Sequence, residues 1–308
     1  MRRAAVTLVG ARRLHVVGVV QIDVSADPFD NVRRAAALVD DAADRGAELI
    51  VLPECFAGKY GIRHFAEWAE PVRPERYSAI ATPLGIGAAA MMADRAERHG
   101  VFVAGGVIES AAEPSTGRRV LFNSIACYGP KGLHALYRKI HLSRVMGITS
   151  ESDVLSAGHD PVTFAFEDMR VGMTCCFDLR FRELLAQYSA GGAYGPCDIV
   201  LAPSAFLHAT GVDHWELLLR RSALDGQHYV LAPNVAFCDE DMVPLFGRSA
   251  IIDPWGNILA QCDSKGDGVI TAAVDCARIA EVRERLPLAK LARSFTPMWR
   301  THAQRNGP

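Results

Sequence analysis

Three short strings in this 308-residue chain carry side chains suited to covalent chemistry. Glu54 lies in Leu52-Pro53-Glu54-Cys55-Phe56, and Lys139 lies in Tyr137-Arg138-Lys139-Ile140-His141-Leu142. Cys176 lies in Gly172-Met173-Thr174-Cys175-Cys176-Phe177-Asp178-Leu179-Arg180-Phe181. Hydrolysis of an amide through a covalent intermediate needs a nucleophile, a proton acceptor, and a cationic or dipolar group to hold the oxyanion. A thiol, a carboxylate and an ammonium supply these parts. Taken singly, each string is weak. A cysteine ending an apolar strand is commonly a small buried residue, a glutamate after proline is commonly solvated, and Lys-x-His fits an exposed strand end. Spacing alone does not bring the three together.

The elements that must position them alternate between strand and helix. Residues 14–22 (LHVVGVVQI) predict a buried strand. Asp27-Pro28 then predicts an N-cap and a first-turn proline for a helix burying Val32, Ala35, Ala36, Val39 and Ala43, closed by Gly46. A strand over 48–52, a helix ending near Gly100 and a strand over 101–108 follow. Residues 121–128 and 133–140 predict a hairpin about Gly129-Pro130-Lys131-Gly132. Further on come a strand over 170–177, a helix over 182–189, a strand over 198–201, a helix over 215–224 and a strand over 229–232. A hairpin across 251–260 and a last strand over 269–274 complete the pattern. We expect an N-terminal extension over 1–13, one domain over 14–287 and a tail over 288–308.

Three of these strands end alike, in Leu52-Pro53-Glu54, Ala202-Pro203-Ser204 and Ala232-Pro233-Asn234. Proline cannot continue a central ladder, so the strand stops and the next side chain is presented at its end. In open α/β sheets that edge is where ligands bind. The pattern marks Glu54, while for Ser204 and Asn234 ordinary strand termination is an equal reading.

Composition narrows the class. Half of the residues are hydrophobic, 22% are charged and the net charge is −2, so a large core can be buried and nothing points to nucleic acid. No apolar run is long enough to span a membrane. Eight scattered cysteines without a Cys-x-x-Cys pair fit free thiols in a reducing compartment. The start, Met1-Arg2-Arg3, only faintly imitates a signal peptide, and a cytoplasmic location is expected. The ten histidines show no His-Glu-x-x-His spacing, and no Gly-x-Gly-x-x-Gly or phosphate-binding loop is present, so neither a metal nor a cofactor is expected. His208 and His214, across a Gly-containing turn, read as structural.

In their order, the Glu54, Lys139 and Cys176 strings resemble the Glu–Lys–Cys signature of the nitrilase (carbon–nitrogen hydrolase) superfamily, over about residues 14–287. The resemblance implies an α/β fold, a four-layer α-β-β-α sandwich, assembled as a homodimer or higher homo-oligomer. It implies that Cys176 attacks as a thiolate whose pKa Lys139 lowers, and that Lys139 and the backbone N–H of Phe177 hold the oxyanion. Glu54 is then the proton carrier, and Glu151, in Ser150-Glu151-Ser152, is the second glutamate that holds the lysine. Strand alternation allows only one of the paired cysteines to face a pocket. The family pattern puts the nucleophile directly before the aromatic–Asp pair, which selects Cys176 and leaves Cys175 for the core. Asp178 is expected to position the following turn. Tyr60, Arg180 and Phe206 are candidates for substrate contact, Arg180 for a substrate carboxylate.

Within the superfamily the chain is most similar to the omega-amidase branch. The likeness is carried by Tyr60-Gly61 after Glu54-Cys55-Phe56, by Ser204-Ala205-Phe206 with Thr210-Gly211 and His214-Trp215-Glu216, and by Asp253-Pro254-Trp255-Gly256. The implied substrate is a small linear amide with a carboxylate at its far end. Amidases of deaminated glutathione and carbamoyl hydrolases are the competing enzyme readings, and an inactive partner-binding homologue is the non-enzyme one. Two departures stand out. The stretch 143–150 is shorter than in that branch, with Ser143 in place of an aromatic, and Arg248 follows Gly247 where histidine is common.

Overall fold

The computed structural model describes residues 13–73, 87–113, 115–144, 150–238 and 244–291. The first half of the chain builds one sheet from β1 (His15–Val24), β2 (Leu49–Val51), β3 (Phe102–Ala112), β4 (Arg119–Gly129) and β5 (Gly132–Arg138). The second half builds another from β6 (Val162–Phe166), β7 (Met169–Met173), β8 (Ile199–Leu201) and β9 (Tyr229–Ala232). After β10 (Val235–Cys238), this sheet is completed by β11 (Ala250–Ile252) and β12 (Ile258–Gln261), and β13 (Gly268–Val274) closes the strand series. The first sheet runs β10-β1-β2-β3-β4-β5 with β13 antiparallel on β1, and the second runs β12-β11-β9-β8-β7-β6. Each sheet has a parallel centre, β1-β2-β3 in one and β7-β8-β9 in the other.

Alternation within β1 shows why the sheets are layered. Val17 and Val19 join a core that also holds Val171, Met173 and Ile199 of the second sheet, whereas Val20 and Ile22 pack toward helices. A strand buried on both faces reads as a continuous apolar run, as residues 14–22 do. The outer face of the first sheet is covered by α1 (Pro28–Asp44) and α3 (Ala88–His99), with α2 (Ile62–Trp68) between them in sequence. The second sheet is covered by α4 (Arg182–Gln187) and α5 (His208–Gly226). The chain continues into α6 (Cys276–Arg285) and the short α7 (Leu288–Leu291), which falls in the expected tail. The result is the expected four-layer α-β-β-α sandwich.

Local sequence explains the helix ends. Asp27 accepts N–H bonds from Phe29 and Asp30 at the start of α1, with Pro28 in the first turn. Gly100 ends α3 in the left-handed region. The apolar face of α1 adds Ala42 to the expected set, and Ala43 packs partly buried against the same core. α5 begins seven residues before the expected Trp215, so His208 and His214 lie on a helix and not across a turn. Gly211 sits inside that helix because Phe246 packs on it, where a Cβ would come within 2.3 Å of the ring. The strand expected over 170–177 ends at Met173, with consequences for the site. α2, β6, β10 and α6 were not anticipated. Among the described residues no helix is long and apolar enough to cross a membrane.

Candidate active site

Glu54 emerges where Pro53 stops β2, and the neighbouring strand passes unusually close. Gly106 of β3 donates its N–H to Pro53 O at 3.0 Å, and a Cβ on Gly106 would lie 2.6 Å from Glu54 Cα. Only glycine admits that approach. Gly106→Ala should therefore shift Glu54 and lower kcat about 10²-fold, the scale of a 1 Å misplacement. Initial rates checked beside circular dichroism would test it, and a fully active Gly106→Ala enzyme would contradict the packing argument.

Lys139 follows β5, with its backbone N–H on Asn123 O (2.8 Å) and its carbonyl accepting from Gly158 N–H (2.8 Å). Its fully buried Nζ donates to Glu54 Oε1 at 2.8 Å and reaches Glu151 Oε2 at 3.0 Å. Glu151 begins a 3-10 turn (Glu151–Asp153), capped reciprocally by Ser150 and Asp153. It also accepts from Ser143 N–H (2.6 Å) and from the Tyr60 hydroxyl (2.8 Å). The structure thus brings Glu54, Lys139 and Glu151 together and occupies the Tyr60 hydroxyl with Glu151.

Electrostatics follows from this packing. Burial alone would push the Glu54 carboxyl up, but the Lys139 ammonium and further hydrogen bonds hold it below its ordinary value. Burial would likewise lower the Lys139 pKa, yet the charges of Glu151 and Glu54 raise it well above the usual lysine value. Lys139 is therefore a fixed cation, and Glu54 is an available proton acceptor.

The paired cysteines arrive from the second sheet. Thr174 N–H bonds to Leu201 O and Cys176 N–H to Pro203 O, so the chain runs along the end of β8 before entering a 3-10 turn, Cys176–Arg180. Cys176 adopts a left-handed φ of 46°, rare for a residue with a side chain and typical of strained functional turns. Strand alternation does not extend across this break, although Cys175 lies in the core as expected. Cys175 Sγ lies 3.3 Å from Glu54 Oε1, while the Cys176 thiol interacts with the same carboxylate and with the N–H of Ala205. Only Cys176 retains exposure, 7% against 0% for Cys175.

A second correction concerns acidity. Lys139 does favour the Cys176 thiolate, but burial and the Glu54 charge outweigh it, and the Cys176 pKa is raised well above that of a free thiol. Asp178 anchors the turn. It accepts from the Tyr137 hydroxyl (2.6 Å) and from the N–H groups of His141 (3.0 Å) and Cys175 (3.1 Å), tying the turn to the Lys139 segment. Phe177 lies in the first turn, where N–H groups lack partners within the helix.

Beside the turn, the Arg180 guanidinium lies 5.1 Å from the Phe206 ring centroid and 5.9 Å from that of Phe177, with Nη1 3.2 Å from His214 Nδ1. No carboxylate pairs with it among the described residues, and burial pulls its pKa down. Phe206 rests on Trp215, with centroids 5.2 Å apart. Ser204 and Asn234 are structural. Ser204 Oγ bonds to Ala202 O, and the Asn234 amide bridges Phe206 N–H and Gly247 O. Arg248 is tied to Glu216 and Gln261. Residues 145–149 of the shortened stretch lie outside the described residues.

Asn123, fully buried on β4, is the site residue that sequence reasoning missed; its Nδ2 donates to Glu54 Oε1 at 2.7 Å. A polar residue at an inward position of a strand otherwise apolar on that face was the available signal. Among the described residues no group of three or more His, Cys, Asp or Glu is gathered to hold a metal ion.

The Carbon-nitrogen hydrolase family model matches residues 16–284. The chain belongs to that family. Carbon–nitrogen hydrolases similar to it include omega-amidase NIT2 of Homo sapiens, 34% identical over 90% of this chain and 95% of that protein. The Xenopus tropicalis protein of the same name is 36% identical over 90% and 94%. Among solved structures, Saccharomyces cerevisiae Nit3, a member of branch 10 of the nitrilase superfamily, is 28% identical with a TM-score of 0.76, covering 91% of this chain and 97% of that one. At family level, the chemistry of this carbon–nitrogen hydrolase is amide hydrolysis.

Proposed function

We propose that the protein hydrolyses a small linear amide bearing a carboxylate at its far end, through a Cys176 thioester. The observation that carries this reading is the buried Lys139 ammonium, held between Glu54 and Glu151 against the turn that presents Cys176. As Cys176 Sγ bonds to the amide carbon, Glu54 takes the thiol proton. Lys139 Nζ and the Phe177 N–H hold the resulting oxyanion. Collapse breaks the carbon–nitrogen bond, Glu54 returns the proton to nitrogen, and ammonia leaves. Glu54 then takes a proton from water as its oxygen attacks the thioester, and it passes that proton to sulfur as the carbon–sulfur bond breaks, releasing the acid and the thiol. Glu151, steadied by Tyr60, keeps Lys139 charged and in place.

Arg180 receives the far carboxylate, with Phe177 and Phe206 as the apolar walls. That no carboxylate pairs with its guanidinium among the described residues supports this reading, as does the similarity to proteins named omega-amidase. Ammonia release from succinamate, 2-oxoglutaramate and deaminated glutathione should favour the two short acids. Arg180→Met should raise KM for succinamate about 10- to 100-fold, the worth of a hydrogen bond to a charged group, and leave a neutral amide such as butyramide unaffected. Preference for deaminated glutathione would move the chain to that amidase class. An equal effect of Arg180→Met on both substrates would remove Arg180 from carboxylate binding.

The homodimer belongs to the same proposal. α5 leaves Leu217 and Leu224 exposed two turns apart, a face that a second copy would cover. Seven unpaired cysteines among the described residues support a reducing, cytoplasmic setting.

A further inference from the structure

We propose that Asn123 is a positioning residue of the reaction, whose amide registers Glu54 and Glu151 around Lys139 and confines proton transfer to Glu54 Oε2. The inference rests on the roles proposed above for Glu54, Lys139 and Cys176. Asn123 projects from β4 on the same side as Ile125 and Cys127, which lie in the core between the sheets. An amide in such surroundings is costly unless its groups are bonded.

Here they are bonded, and to particular atoms. Nδ2 donates to Glu54 Oε1 at 2.7 Å and to Glu151 Oε1 at 3.2 Å. Its carbonyl partner Oδ1 lies 3.7 Å from Cys175 Sγ. Two acceptors on one side and a thiol donor on the other assign the amide orientation. An amide nitrogen only donates, so both of the oxygens it faces act as acceptors.

Glu54 Oε1 accepts from Lys139 Nζ at 2.8 Å and Asn123 Nδ2 at 2.7 Å, and it shares the single Cys175 S–H, at 3.3 Å, with Asn123 Oδ1. Glu54 Oε2 accepts the Ala205 N–H at 2.8 Å and none of these three donors. The proton taken from Cys176 therefore has one place to go. Because the backbone carbonyl of Asn123 also accepts the Lys139 N–H, one residue registers the lysine and both carboxylates.

Asn123→Asp preserves shape while replacing the double donor by an acceptor. The titratable groups facing that position are Glu54, Glu151, Lys139, Cys175 and, one step away, Cys55, Tyr60 and Cys176. Three carboxylates around one ammonium force a proton onto the cluster. We expect kcat for the amide turned over to fall about 10²-fold, KM to stay within about threefold, and the acid limb of the kcat–pH profile to move to higher pH. Asn123→Ser, with one donor left and no added charge, should keep the wild-type limb at reduced kcat, and it carries the test if the Asp variant does not fold.

A folded Asn123→Asp enzyme with wild-type kcat and pH limb would overturn the proposal. So would a loss of activity that is uniform with pH in both variants and matched by lost thermal stability. Cys176→Ala is assayed alongside. If it still turns over, the catalytic reading itself has failed. If it is silent while Asn123→Asp is unaffected, only the role of Asn123 has failed.

Discussion

Cys176→Ala is expected to lower turnover at least about 10⁴-fold, the scale seen when a nucleophile is removed, with the fold intact. Cys175→Ala should keep most activity. The contrast matters because both thiols reach the Glu54 carboxylate, Cys175 at 3.3 Å from Oε1. Proximity to the base does not decide which of them attacks. Cys175 is sealed from solvent, whereas Cys176 is partly open at a left-handed turn that Asp178 ties to the Lys139 segment. A substrate carbonyl must reach the sulfur, and only Cys176 offers that. Ammonia release by the two variants, with mass spectrometry of a trapped acyl-enzyme, separates the cases. An active Cys176→Ala enzyme with a dead Cys175→Ala enzyme would reverse the assignment.

The second large effect is expected from Lys139→Met. It removes the cation proposed to hold the oxyanion and leaves two buried carboxyls without their counter-charge. Turnover should fall at least about 10³-fold, as for a lost oxyanion donor, and breaking a buried pair should cost about 3–5 kcal/mol of stability. The pH dependence of stability should also change sign for Glu54. In the wild type its pKa is depressed, so its contribution is present above the unfolded value and is lost as pH falls through the folded one. Without Lys139, burial dominates and the pKa rises. The contribution is then present at acid pH and lost as pH rises through the folded value. Thermal unfolding between pH 4.5 and 8 would show Lys139→Met losing stability toward neutrality. A Lys139→Met protein with near wild-type kcat would remove the lysine from the mechanism.

Much of this arrangement was legible in local strings. Asp27-Pro28 marked the start of α1, and Pro53 marked the point where β2 stops and Glu54 is presented. Other features depend on packing that no local window reports. The end of β7 at Met173 follows from Thr174 and Cys176 bonding to the end of β8 and its proline, residues more than twenty-five positions away. The helical start of α5 was hidden by Gly211, which breaks helices by propensity but is required there by Phe246. The acidity of Cys176 was misjudged because the lysine was weighed without the burial and the glutamate charge that accompany it. Asn123 looked like one polar residue in a strand until both carboxylates were seen on its amide.

The derivation of Glu54 and Lys139 from one sheet and Cys176 from the other has a consequence for how the molecule can vary. Neither sheet alone holds a working set, so activity reports on the spacing between the layers more sharply than stability does. A change of one methylene in the shared core, at Ile125, Val171 or Met173, can leave a folded protein while moving acid, cation and sulfur out of reach of one another. Selection for turnover would therefore act on residues that never meet substrate, and the apolar seam between the sheets would be held to tighter tolerances than the outer layers beneath the helices.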